Sequence, residues 1–233
     1  MSHRYQFVLF PDPLNACPWV GPALRPWLDQ PVASSRNGNA GIPFFHGMSP
    51  AEARLAFDVQ GLNFGDYTRI AIIRNPYAKM AQLYYRIAMT DPLWRMRDHV
   101  GIDIPRFGRW LRMTRPDGLG AGYRGSARWR RFGAWSAEHW CGPHVTHTVR
   151  ADAAAEELTT VFDKIGISPA FGDRTVHEPT GQRLARLYDS ESWALIRQRY
   201  RHDLLRYRMQ DCQRPLRSLP VVDDTVIPYR SVA

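Results

Sequence analysis

Apolar and polar positions along the chain fall into short blocks separated by proline- and glycine-rich stretches. Tyr5 to Phe10 reads as a short, mostly apolar strand, ended by Pro11-Asp12-Pro13. Gly21 to Leu28 suits a helix with Pro22 in its first turn. Residues 29–45 show no periodicity and read as a loop. Ser49-Pro50-Ala51-Glu52 is a helix start, with Ser at the N-cap, Pro at N1 and Glu at N3 to close a capping box. That helix is expected to run to about Phe57. Tyr67 to Ile73 has the β-branched density of a buried parallel strand. It passes directly into Arg74-Asn75-Pro76 and a long helix from Tyr77 to about Met89.

The second half is less regular. Residues 101–130 are crowded with Gly, Pro and Arg, and predict only a short helix near Phe107 to Leu111. A helix is expected at Trp129 to Trp140, a strand at Val145 to Val149, and an amphipathic helix at Asp152 to Ile165 ended by Gly166. The last helix, Glu191 to Tyr207, carries Trp193, Ile196, Tyr200, Leu204 and Tyr207 at three- and four-residue spacing. No repeat or linker divides the chain. The pattern predicts one α/β domain over residues 1–233 with a mainly parallel sheet.

Composition narrows the function classes. At 233 residues and 44% apolar, the chain can build a full hydrophobic core. No stretch has the roughly 20 apolar residues of a membrane span, and the run Phe7 to Phe10 is too short for a signal-peptide core. A soluble, cytoplasmic protein is expected. Cys17, Cys141 and Cys212 are far apart and odd in number, so they read as small buried side chains and not as a disulfide framework. The formal charge of +9 implies an anionic partner. Almost all of the excess is arginine, since the lysines are Lys79 and Lys164 alone. These arginines form neither a basic tail nor a helical stripe, which argues against nucleic acid and for a small polyanion.

The strand-turn-helix at Arg74-Asn75-Pro76 is the natural place for such an anion. Backbone N–H groups and the positive end of the helix dipole face outward there. Arg74 adds a planar cationic fork, Asn75 can cap the helix, and Lys79 adds charge one turn on. The same residues would also serve as an ordinary βα junction with an arginine at its surface.

The segment Ile72-Ile73-Arg74-Asn75-Pro76-Tyr77-Ala78-Lys79-Met80-Ala81-Gln82-Leu83-Tyr84 resembles the 3′-phosphate-binding motif of the sulfotransferase family, in its carbohydrate-sulfotransferase-like branch. His46-Gly47-Met48-Ser49-Pro50-Ala51-Glu52 is similar to that family's upstream His-Ala-Thr-Ala-x-Glu segment. Thr148-Val149-Arg150-Ala151-Asp152 is similar to its Val-Gly-Arg-Phe-Glu strand end, and Tyr188-Asp189-Ser190-Glu191, with Tyr200, Asp203 and Tyr207, to its closing helix. The resemblance implies a P-loop-like three-layer sandwich around a central parallel sheet. It also implies sulfuryl transfer from 3′-phosphoadenosine-5′-phosphosulfate (PAPS) to a hydroxyl of a carbohydrate or small-molecule acceptor. In that reading Arg74, Asn75, Lys79 and Gln82 hold the donor's 3′ side, and His46 is the base beside the acceptor.

One stretch departs from the family. Its lysine- and hydroxyl-bearing first loop corresponds here to Pro11-Asp12-Pro13-Leu14-Asn15-Ala16-Cys17. Asp12 stands in place of the lysine, Ala16 and Cys17 in place of the hydroxyl residues, and Gln82 in place of the helix serine. A carboxylate facing a phosphosulfate repels it. The alternative function is therefore a non-catalytic nucleotide- or partner-binding protein on the same fold. Arg4, Arg25 and Arg36 are the arginines considered as replacement cations for the loop.

Two other groupings were weighed. His139, Cys141, His144 and His147 lie close together, but a strand through Val145 to Val149 would send alternate side chains to opposite faces, so no metal site is expected. Trp94, Trp110, Trp129, Trp135 and Trp140, with Arg106, Arg109, Arg128, Arg130 and Arg131, suit either an acceptor surface or the core.

Overall fold

A computed structural model describes residues 1–14, 16–32, 44–45, 47–90, 104–117, 132–172, 184 and 186–206, the side chains of 104–106 and 206 excepted. Three parallel strands form its sheet: β1 (Phe7–Phe10), β2 (Thr68–Ile73) and β3 (His147–Arg150), in that spatial order. Phe10 lies beside Ala71 and Ile73 beside Arg150, so all three carboxyl ends meet at one edge. The described residues include eight helices: α1 (Val20–Leu24), α2 (Pro50–Val59), α3 (Pro76–Thr90), α4 (Ile104–Met113), α5 (Ala137–Trp140), α6 (Ala154–Ile165), α7 (Ser190–Arg199) and α8 (Arg201–Arg206). No helix among the described residues is long and apolar enough to cross a membrane.

The two-residue alternation of the strands sorts the core. Phe7, Ile70, Ile72 and Val149 meet α1 and α6 on one face, through Val20, Leu24, Leu158, Val161 and Phe162. Val8, Phe10, Ala71 and Ile73 meet α2 and α5 on the other, through Ala53, Phe57, Ala137 and Trp140. A third cluster is helical. Tyr77, Met80, Tyr84 and Ile87 of α3 pack with Phe107 and Leu111 of α4, Ile196 of α7 and Leu204 of α8, and Leu14 joins them from the first loop.

Local chemistry explains the element ends. The Ser49/Glu52 capping box forms, and α2 runs two residues past Phe57. Gly166 ends α6 in the left-handed region at φ 80°, as the sequence predicts. Asp189 and Ser192 form a second capping box at α7, not anticipated from the sequence.

Three expectations need correction. The first strand starts at Phe7 and not Tyr5, because Ser2 and Phe7 pair as an antiparallel bridge around a tight turn with Gln6 at φ 48°. The helix expected at Trp129 to Trp140 is, among the described residues, the four-residue α5, since Ser136 accepts from His139 N and restarts the chain there. The closing helix breaks at Tyr200. The Tyr200 hydroxyl is buried on the Ala134 carbonyl, and Arg199 donates to the carbonyls of Leu111, Arg112 and Thr114 at the end of α4. That arginine satisfies acceptors a helix end leaves open.

Asp29 ties the N-terminal turn down. It accepts from His3 N at 2.7 Å, Arg4 N at 2.8 Å and Ser2 Oγ at 2.8 Å. Desolvation pushes its pKa up, but these donors outweigh it and the net shift is downward. A depressed carboxylate contributes stability above the ordinary value near 3.8, which is lost as pH falls through the lower folded value. Asp29→Asn is expected to remove that part of the acid limb, read from urea unfolding between pH 5 and roughly 2.

Candidate functional site

At the carboxyl edge of the sheet, the chain leaves β1 into Pro11-Asp12, leaves β2 into Arg74-Asn75, and leaves β3 at Arg150. Ligands of open parallel sheets bind in this position. Asn75 caps α3 as expected: its Oδ1 accepts from Tyr77 N at 2.9 Å, and Lys79 N donates to the Asn75 carbonyl at 2.9 Å. Arg74 is buried beside this helix start.

Asp12 is 2% exposed, and its Oδ2 accepts from Leu14 N at 2.8 Å. Pro11 and Pro13 carry no N–H, so the loop spends its Leu14 donor on its own carboxylate. Arg86 then reaches across from α3 and donates to the Leu14 carbonyl at 3.3 Å. Burial lowers the Arg86 pKa and Asp12 counters it. Cys17, further along the loop, donates to the Ala151 carbonyl at 3.8 Å, which fixes the loop across to the end of β3.

Lys79 is 5% exposed, and its Nζ donates to the Trp135 carbonyl. Burial lowers its pKa; Asp12 is the strongest opposing influence, followed by Asp203, while Arg74 adds to the lowering. Asp203 is itself buried and accepts from Ala137 N at 2.8 Å, at the start of α5. Burial raises the Asp203 pKa despite that donor and Lys79. Among the described residues, Asp12 and Asp203 thus oppose the effect of burial on Lys79, and Asp12 opposes it on Arg86.

The structure thus gathers Arg74, Asn75 and Lys79 with Asp12. Gln82 lies on the same helix, with its Oε1 buried and without a hydrogen-bond partner among the described residues. His46 falls outside the described residues, as do Asn15, Arg36 and Tyr207. Among the described residues Arg86 reaches the first loop, whereas Arg4 and Arg25 do not. Arg4 lies over the Tyr5 ring at 5.2 Å, and Arg25 is exposed after α1. A usable signal for Arg86 was its spacing of seven from Lys79 and four from Gln82, which places all three on one face of α3. Asp203 stood out only as part of the closing-helix resemblance; its role toward Ala137 and Lys79 was not legible, because those partners lie in distant parts of the chain.

His139 Nδ1 meets Ser136 Oγ at 2.6 Å and His147 Nδ1 meets Thr146 Oγ1 at 3.0 Å, and no cluster of metal-ligating side chains occurs among the described residues. Cys17 and Cys141 are buried thiols. Trp110 and Trp140 are core, whereas Trp94, Trp129, Arg128, Arg130 and Arg131 lie outside the described residues. Arg150 Nε sits 3.3 Å from both Asp152 and Glu157. No family model, curated protein or solved structure matches the chain.

Proposed function

We propose that the chain binds a phosphorylated nucleoside at the carboxyl edge of its sheet, on a P-loop-like three-layer frame of sulfotransferase type, without transferring a sulfuryl group. The observation that carries this reading is the Asp12 carboxylate, buried in the loop where a donor's 5′-phosphosulfate would sit. The 3′ side fits a phosphate: Arg74 is a cation at a helix start whose amides Asn75 organises. Gln82, two turns along the same helix, offers a buried amide end, and with the amide turned over the same position donates. The 5′ side does not fit PAPS. Asp12 brings a like charge into a water-poor site, and Lys79 is directed to the Trp135 carbonyl. The three-layer frame is supported by helices on both faces of the sheet.

One observation favours the competing reading, PAPS-dependent transfer to a carbohydrate or small hydroxyl acceptor with His46 as base. Arg86 brings to the first loop a cation that the loop itself lacks. Titration calorimetry with adenosine 3′,5′-bisphosphate separates the readings. Saturable heat is expected from the wild type, weakened about 10- to 100-fold in Arg74→Gln, the loss of one charged hydrogen-bonding partner. Incubation with PAPS and a panel of hydroxyl acceptors should yield no sulfated product. No heat at millimolar nucleotide would sink the binding proposal, and sulfated product would establish transfer in its place.

A further inference from the structure

At the amino end of β2 an arginine stands where the strand pattern calls for an apolar side chain. Val8, Ala71 and Ile73 face α2 and α5, and Arg69 rises on the same side by the two-residue period of the strand. Its guanidinium lies over the Phe64 ring at 5.2 Å. Its Nε is closed off from water and has no hydrogen-bond partner among the described residues. A shielded donor without an acceptor is destabilising, so it marks a place that an acceptor from outside the chain can fill. Other cationic groups stand around it. Phe64 meets Phe57 of α2 with ring centroids 5.0 Å apart, and Arg54 lies three residues before Phe57 on the same side of that helix. Arg69 N donates to Thr146 Oγ1 at 2.9 Å, and Thr146 N to the Arg69 carbonyl at 2.8 Å. These bonds fix beside β2 the short turn Gly142–His144, which packs against α2. Burial lowers the His144 pKa, and Arg54 and Arg69 lower it further. Among the described residues neither arginine forms an ion pair, and Asp66, the acid nearest Arg69 in sequence, accepts from Asn63 at 2.7 Å.

We infer that the amino edge of the sheet is a second oxyanion seat, in which Arg69 and Arg54, with His144 beside them, take a phosphate-type dianion, free or as the terminus of a larger molecule. A guanidinium presents a planar fork of donors that matches two oxygens of a tetrahedral oxyanion, and two such forks match its charge. The aromatic floor of Phe64 and Phe57 holds one fork in place and keeps water from its inner side. This seat does not rest on the nucleotide reading. Arg69 and Arg74 are five positions apart along β2 and its exit, about 16 Å at the rise of a strand, and so stand at opposite edges of the sheet.

Arg74→Gln removes the anchor of the nucleotide site, so the experiment uses that variant beside the wild type. Both are expected to gain saturable thermal stabilisation from sodium phosphate over sodium chloride at equal ionic strength. The ring resonances of His144, identified by their loss in His144→Gln, should move with the same saturation. Added to Arg74→Gln, Arg69→Gln should weaken the apparent phosphate affinity by about tenfold or more. Arg54→Gln, at an exposed position outside the core, should weaken it by about three- to tenfold. Phenyl phosphate separates the two sources: tighter binding than inorganic phosphate assigns the terminus of a larger molecule, and binding no tighter assigns the free ion. A phosphate effect that does not saturate overturns the inference, as does one that vanishes in Arg74→Gln. An affinity unchanged by both Arg69→Gln and Arg54→Gln overturns it too. If Arg69→Gln does not fold, Arg54→Gln decides alone. Absence of nucleotide binding at the other edge leaves all these outcomes as they are, so the two proposals fail separately.

Discussion

Replacing Asp203 with alanine lowers stability by about 3–5 kcal/mol, the cost of breaking a buried charged network by removing one partner. The loss has two parts. The amide of Ala137, at the start of α5, loses the acceptor that holds it at 2.8 Å. Lys79, buried and already depressed in pKa, loses one of the groups that oppose that shift. Urea unfolding followed by circular dichroism measures the change. Lys79→Met should reduce the penalty when combined with Asp203→Ala, because it removes the stranded charge. A double-mutant coupling of at least about 1 kcal/mol is expected. A coupling near zero would show that Asp203 acts through α5 alone.

The second large effect is expected at Phe57. This α2 side chain is wholly buried and meets the rings of His3, Phe44, Phe64 and Tyr67, with centroids 4.7–6.4 Å away. It joins the helix to one face of the sheet and to the N-terminal turn at once. Phe57→Ala should cost about 3–5 kcal/mol, the usual range for deleting a core aromatic. Val59, two residues on, is 79% exposed, and Val59→Ala should stay within about 0.5 kcal/mol. The pair of variants separates packing from helix propensity. Equal effects at both positions would contradict the assigned facing of α2.

Much of the local structure was legible in the residues. The Ser49-Pro50-Ala51-Glu52 box, the Asn75-Pro76 helix start and the Gly166 stop all depend on contacts within a few positions. So did the buried strand before Arg74, whose β-branched run needs both faces covered. The helix expected from Trp129 and the unbroken closing helix were misread for the opposite reason. Ser136 N donates to the carbonyl of Pro116, and Tyr200 reaches Ala134, so the shape of each stretch is decided by a partner far along the chain.

The candidate site divides along the same line. The sequence by itself determined that a cation stands at a strand end before a capped helix, and that a carboxylate, Asp12, stands in the first loop. Those statements require only the order of residues and the short reach of a side chain to its neighbours' backbone. Tertiary structure alone decided what the carboxylate does. Asp12 turns inward onto Leu14, Arg86 arrives from 72 residues away, and buried Lys79 ends on the Trp135 carbonyl. Charge becomes decisive only where water is excluded, and exclusion of water is a property of packing.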